Sequence, residues 1–406
     1  MSRAVVSNIT PGVFRRLRSL LAKVFTGFSW PVFLSALALS STGVLAIYLT
    51  DRFATDEFRH LPAWEMIFGV LHLRQLLFLL VGLMMFFPLV VFNYRRIGRY
   101  SYYLFALCIA LLILVRLLPP VTTTGVRRWF AFGPVKLQPS ELSKIAFILA
   151  LAWYLRFRKS YRTFWGFLLP FAFALLPMYL ILKQPDLGTS LLFLPTLIAV
   201  LFAAGARKRH IAAVVVMALL SLPVLWLTMK DYQRDRVLGW LKQGRQSQFI
   251  RTGPGFHLER SLITIGSGGL YGHPWGQAEM IEHNQLVYDY TDFIFAVIAA
   301  QTGLLGALLV LVLYLILFSF GLRIARANYD PFGRLLAVGI VAMLFTQTVV
   351  NIAMTVGLLP ITGMTLPFVS YGGSSLWSCL IATALLINVG KHRSLLLGQR
   401  PFEFDS

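Results

Sequence analysis

The sequence predicts an all-α polytopic integral membrane protein, a single domain over residues 1–406 with about ten transmembrane helices. Three observations predict it. Of 406 residues, 57% are apolar and only 13% are charged, where a globular domain carries about 25% charged residues. The apolar residues come in long runs, and mean hydropathy is +0.72. Basic residues collect in short clusters between alternate runs. These features exclude a soluble enzyme, a disordered chain and a secreted disulfide scaffold. The net charge of +21 would suit nucleic acid if it lay on one face of a soluble domain with interleaved aromatics. No stretch offers such a face, so no nucleic-acid partner is expected.

Residues 1–30 form a basic N-terminal segment. Within 11–27, Val13, Phe14, Leu17, Leu20, Leu21 and Val24 share one helical face, with Arg15, Arg16, Arg18 and Lys23 mostly on the other. That pattern suits a helix lying on an anionic inner leaflet. The next apolar run is too long for a signal peptide and reads as a retained first span.

A spanning helix needs about 20 mostly apolar residues. Ten segments approach this: 31–50, 75–92, 101–118, 140–155, 165–182, 187–205, 211–228, 292–320, 335–358 and 369–390. Alternate connections carry the basic clusters Arg95-Arg96-Arg99, Arg156 to Arg162, Arg207-Lys208-Arg209, and Arg323, Arg326 and Arg334. Positive loops mark the cytoplasmic side, which places both termini there. Two external connections stand out. Residues 119–139 read as a polar, Pro-containing loop. Residues 229–290 form a large extracytoplasmic loop before helix 8, and loops this long are usually functional or disordered. Its apolar stretches favour a structured, functional reading. No internal repeat is visible, which weakens a transporter built on inverted halves.

Polar residues at membrane depth are expensive and therefore candidates for function. Arg128 and the run Gln138-Pro139-Ser140-Glu141, with Lys144 one turn on, form the first group. Ser140 reads as an N-cap. Lys144 suits either an i,i+3 ion pair with Glu141 or, with Arg128, a grip on an anionic ligand. Lys183-Gln184-Pro185-Asp186-Leu187-Gly188-Thr189 forms the second. There Asp186 suits a helix cap or a polar site between bundles. The third group is Gly266-Ser267-Gly268-Gly269 with Gly272, a turn or a backbone approach to an anion. In the fourth, Thr291-Asp292-Phe293, Thr291 or Asp292 suits a helix cap, and the helix dipole keeps Asp292 ionised. An ionised carboxylate at the mouth of a bundle also suits a general base. The fifth group is Ser370-Tyr371-Gly372-Gly373-Ser374-Ser375, small residues for close packing or a polar cavity wall.

The histidines show no metal-ligand spacing, and no P-loop supports ATP-driven transport. Cys108 and Cys379 sit inside apolar runs and read as small core residues.

These groups in this order resemble the SEDS family (shape, elongation, division and sporulation), with its RodA and FtsW branches. The resemblance rests on Arg128-Trp129, Gln138-Pro139-Ser140-Glu141 with Lys144, Gln184-Pro185-Asp186-Leu187-Gly188-Thr189, Ile265 to Leu270, Thr291 to Phe295 and Gly357 to Ser375. The last run looks more like the RodA branch. Two departures are visible. Tyr288 and Tyr290 stand where the family has Glu and His, and Ala300-Gln301 where it has a Glu pair; Asp289 stands one position along from the missing acid.

The resemblance implies a ten-helix bacterial inner-membrane glycosyltransferase that polymerises lipid II into peptidoglycan strands. It also implies a class B penicillin-binding protein as partner. It assigns Asp292 as catalytic and carries functional roles onto Arg128, Lys144 and Asp186; Lys183, as a nearby cation, and Ser370 and Tyr371, as a polar cavity wall, complete the expected substrate-binding set. An inverting displacement needs one base, and the cations would neutralise the leaving diphosphate with or without a divalent ion such as Mg or Mn. No protein-held metal site is expected. The competing classes are a lipid II flippase, which should place polar residues at mid-membrane, and a non-catalytic scaffold for a transpeptidase. A docking face for a partner helix is expected on the last three spans, around Gly306, Ala307, Gly339 and Ala342.

Overall fold

In the computed structural model, residues 27–50, 69–119, 127–133, 135–157, 164–220, 231–243, 255–273 and 290–392 are described, with isolated positions between 221 and 230. The predicted amphipathic segment at 11–27 lies outside them but for Gly27, as does much of the 229–290 loop.

Each of the ten apolar runs contains a helix. They are α1 (Trp30–Thr50), α2 (Leu71–Val91), α4 (Ser101–Leu117), α5 (Pro139–Leu155), α6 (Phe164–Leu182), the pair α7 (Leu187–Leu191) and α8 (Phe193–Ala204), α9 (Lys208–Leu220), α12 (Ile294–Arg326), α13 (Pro331–Thr355) and α14 (Gly373–Lys391). A short α3 (Tyr94–Arg99) turns the chain between α2 and α4. Among the described residues, six helical stretches are long and apolar enough to cross a membrane: α1, α2, the α7–α8 stretch, α12, α13 and α14. The protein is a helical, multi-pass membrane bundle.

Burial ranks the helices. α14 and α5 are buried along nearly their whole length, with Leu376, Leu380, Leu385 and Ile387 in one and Phe147, Ile148, Leu151 and Leu155 in the other. α2 packs on α14, α1 on α12, α4 on α5, and α8 and α12 on α13. Outward faces stay apolar: Leu304, Leu308 and Leu315 on α12 are exposed, as a lipid-facing surface requires. Small residues mostly serve this packing. Gly43 lets α1 approach the loop before α14 so closely that a Cβ there would lie 2.2 Å from the Val369 carbonyl oxygen. Gly339 faces Ile148 and Val200, and Ala307 is buried. Those two stabilise the interior and do not mark the docking face expected of them.

Two features differ from the expected pattern. The 119–139 connection is more than a polar loop. It contains a hairpin, β1 (Phe130–Phe132) antiparallel to β2 (Val135–Leu137), with Phe130 opposite Leu137. The span at 292–320 is broken at Gly303, whose φ of 66° is non-helical. That break belongs to the third glycine group. Two helices lie on the 229–290 segment, α10 (Asp231–Leu241) and α11 (Phe256–Ser267). The turn after α11 folds onto the Gly303 break. Leu304 N–H donates to the Gly269 carbonyl at 2.9 Å and His273 N–H to the Ala300 carbonyl at 3.1 Å. A Cβ on Gly272 or Gly303 would meet backbone at 2.3–2.4 Å. The glycine run is therefore a backbone clasp between α11 and α12. The sixty-residue segment is structured where it is described.

Candidate active site

The loop at 356–372, the starts of α2 and α5, the end of α13 and the turn before α12 meet at one end of the bundle, here termed the mouth. α5 supports it from below. Pro139 takes the first helical position and Gln138 the cap position, with no side-chain cap bond; Ser140 is not the cap expected. Lys144 is 3% exposed, pairs with Glu141 at 3.0 Å and donates to Gln347 Oε1 at 3.1 Å. Glu141 also accepts from Ser378 at 2.7 Å. Gln347 then donates to the Thr365 carbonyl at 2.9 Å. A buried charge needs such partners. Lys144 props the loop from beneath, and the ion-pair arrangement is the one the structure adopts.

Arg128 precedes β1. Its Nε donates to the Gln184 carbonyl at 2.7 Å, and its Nη2 donates to the Pro185 carbonyl. The guanidinium thereby ties the hairpin to the α6–α7 turn. Asp186 caps α7, accepting from Thr189 N–H at 3.1 Å, and accepts from Gln138 Nε2 at 3.2 Å. Lys183 stays exposed, its ammonium 5.4 Å from the Tyr179 ring centre. The predicted cations are thus separated: Lys144 beneath, Lys183 at the surface and Arg128 between.

Asp292 lies in the turn before α12. The cap position is Phe293, with no side-chain cap bond, so neither Thr291 nor Asp292 caps the helix. Instead three consecutive backbone carbonyls are held from outside. Tyr290 O accepts from Tyr371 N–H at 2.8 Å, Thr291 O from Ser370 Oγ at 2.6 Å, and Asp292 O from Asn351 Nδ2 at 3.0 Å. Ser370 Oγ also accepts from Leu366 N–H at 2.7 Å, and Asn351 donates to the Met364 carbonyl at 2.6 Å. Gln75 on α2 secures the same loop by bonding Ser370 O and Gly372 N–H. The departure at Tyr290 is absorbed here too, its ring edge-on to Tyr371 with centroids 5.7 Å apart.

Arg236 is a further candidate that the sequence did not single out. It sits on α10, and its Nη1 donates to the Ile361 carbonyl at 3.4 Å. A Cβ added at Gly363 would lie 3.6 Å from both Arg236 Nη1 and Asp292 Oδ2, so the acid and the cation both border the space that the glycine leaves open. Burial pushes the Asp292 carboxyl up to about 6, opposed first by Arg236, then reinforced by Asp186 and opposed by Thr291 and Arg128. The acid is therefore ionised at neutral pH but more basic than an ordinary aspartate.

Among the described residues, no three His, Cys, Asp or Glu side chains converge as metal ligands. Asp186 is engaged by Thr189 and Gln138, and arginines flank Asp292.

A family model for cell cycle proteins, FTSW_RODA_SPOVE, matches residues 25–395. The peptidoglycan glycosyltransferase MrdB of Escherichia coli is 38% identical over 295 residues, covering 72% of this chain and 78% of that one. A chain of a peptidoglycan synthase complex that coordinates polymerization and crosslinking superposes with a TM-score of 0.74 at 31% identity, covering 91% of this chain and 99% of that one. The rod shape determining protein RodA of Thermus thermophilus gives a TM-score of 0.64 at 28% identity, with 90% and 97% covered.

Proposed function

The chain belongs to the FtsW, RodA and SpoVE family, and from that premise we propose that it is a peptidoglycan glycosyltransferase acting on lipid II, with Asp292 as its base. The observation that carries the role of Asp292 is a carboxyl held by its backbone at three points, raised to about 6 and flanked by Arg236. A base works best with a pKa near the operating pH.

In the reaction, Asp292 takes the proton of an acceptor sugar hydroxyl. The oxygen bonds the anomeric carbon of the donor. The bond from that carbon to the diphosphate breaks, and its electron pair leaves on undecaprenyl pyrophosphate, inverting the centre. Arg236 and the uncommitted N–H groups of Arg128 receive the developing charge, with Lys183 at the rim. A Mg or Mn ion would arrive on the substrate diphosphate. Asp186, Ser370 and Tyr371 border the substrate, while Lys144 acts through the loop it supports.

The alternation of basic loops supports ten spans with both termini cytoplasmic and the mouth facing outward. That orientation fits a bacterial inner membrane displaying lipid II on its outer face. The superposition on a synthase complex supports a class B penicillin-binding protein as partner, and the run Gly357–Ser375 supports the elongation branch.

Purified protein given labelled lipid II in detergent should make glycan strands. Failure to polymerise, with translocation of lipid II in vesicles, would move the chain to the flippase class; failure in both would leave the scaffold.

A further inference from the structure

We propose a second anion seat at the mouth, built by Arg74 and Tyr371, that holds the diphosphate retained on the acceptor. The inference rests on the polymerase reading above. Joining two lipid-linked saccharides brings two diphosphates to one site. One leaves next to the base. The other stays attached at the far end of the acceptor sugar unit and needs its own cation.

Arg74 stands one turn into α2, half-buried. Its Nη1 donates to the Tyr371 hydroxyl at 3.3 Å. Its Nε is buried without an acceptor among the described residues, so the guanidinium has donor capacity left at the mouth. The neighbouring Gln75 fixes its position, because the Gln75 amide bonds the backbone on both sides of Tyr371, at Ser370 O and Gly372 N–H. From Tyr371 the line runs directly to the base: Tyr371 N–H donates to Tyr290 O, two residues before Asp292. Arg74 is therefore linked to the turn that carries Asp292 through Tyr371, whose hydroxyl meets the guanidinium and whose N–H meets Tyr290 O. Arg236 and Arg128 act on the same acid from other elements, α10 and the residues before β1. The arrangement is a base with cations on separate elements, as two diphosphates on two substrates require.

An arginine at a helix end also binds phospholipid phosphates by snorkelling. The chemistry is shared, and the test separates the sources. In detergent without phospholipid, Arg74→Gln should raise the apparent KM for lipid II about tenfold, the scale of one charge-assisted hydrogen bond, with kcat within about twofold. Arg74→Lys should fall between. An unchanged KM for folded Arg74→Gln, or an effect seen only in anionic vesicles, would assign Arg74 to bulk headgroups and overturn the proposal. If Arg74→Gln does not fold, Tyr371→Phe carries the test: it removes the hydroxyl that aims the guanidinium, and KM should rise about threefold; no change would overturn the proposal. Asp292→Asn run alongside keeps the two readings apart. Normal polymerisation by Asp292→Asn would remove the reading of the site. An inactive Asp292→Asn with a wild-type KM in Arg74→Gln would remove the Arg74 seat alone.

Discussion

Asp330 and Asp292 each stand just before a long helix, and each has an arginine nearby. Their surroundings differ. Asp330 is fastened by its side chain: the Tyr94 hydroxyl donates to it at 2.7 Å and Arg95 Nε at 3.1 Å. That knot joins α3 to the start of α13, and Asn388 of α14 adds to it by accepting from Tyr94 N–H at 3.0 Å. Asp292 is fastened by its backbone, through three consecutive carbonyls, while its carboxyl and Arg236 both border the space at Gly363. The first arrangement uses a carboxylate to hold helices together. The second uses helices and loops to hold a carboxylate in place. Position before a helix does not decide the role; the partners of the side chain do.

Lys144 is where the comparison breaks most severely if it is wrong. It serves the Asp292 end as a structural ion. Lys144→Met leaves Glu141 buried without its cation and should cost about 3–5 kcal/mol, read as a lower Tm. The pair Glu141→Gln with Lys144→Met should recover most of it. A folded Lys144→Met with normal Tm and a raised KM would make Lys144 a ligand instead.

At the other end, Asp330→Asn removes one charge from a partly exposed knot. The expected loss is about 1–2 kcal/mol in stability, with polymerisation within about twofold at a temperature where the variant is folded. Tyr94→Phe should cost about 1 kcal/mol and leave polymerisation unchanged.

The pH profile sharpens the same contrast. A base raised to about 6 is lost by protonation as pH falls through that value. Polymerisation at pH 5 should be about tenfold below that at pH 7, and Asp330→Asn should keep this profile. The stability sign is opposite. The folded state disfavours the ionised Asp292, so its cost grows as pH rises from the unfolded value toward 6 and persists above it. Asp292→Asn should therefore raise Tm slightly, most clearly above pH 6, whereas losing a helix cap would lower it.

Much of the bundle was legible because apolar runs of spanning length have few other uses. The Gly303 break was not, because a glycine inside an apolar run looks like ordinary helix packing. The hairpin around Gly133 was signalled by Phe130-Ala131-Phe132 and Val135-Lys136-Leu137, hidden inside a loop judged by its polarity. The site was partly legible. Asp292, Asp186 and Ser370 stand out as candidates by type and neighbours, and the bond from Ser370 Oγ to Thr291 O brings Ser370 to the turn of Asp292. The fate of Lys144 depends on Gln347, 203 residues away, which no local spacing reveals. Arg236 was obscured in a long mixed-charge segment; the helical pattern of Asp231–Leu241 was its available signal.

The most direct test of the account is polymerisation of labelled lipid II by Asp292→Asn beside Asp330→Asn, with Tm measured on the same preparations. Asparagine keeps the shape of Asp292 and the backbone carbonyl that Asn351 holds, but it cannot accept the proton. The account predicts a folded Asp292→Asn with polymerisation down about 10²-fold or more and Tm at or above wild type, against an active Asp330→Asn with a lowered Tm. Near-normal glycan strands from a folded Asp292→Asn would contradict it.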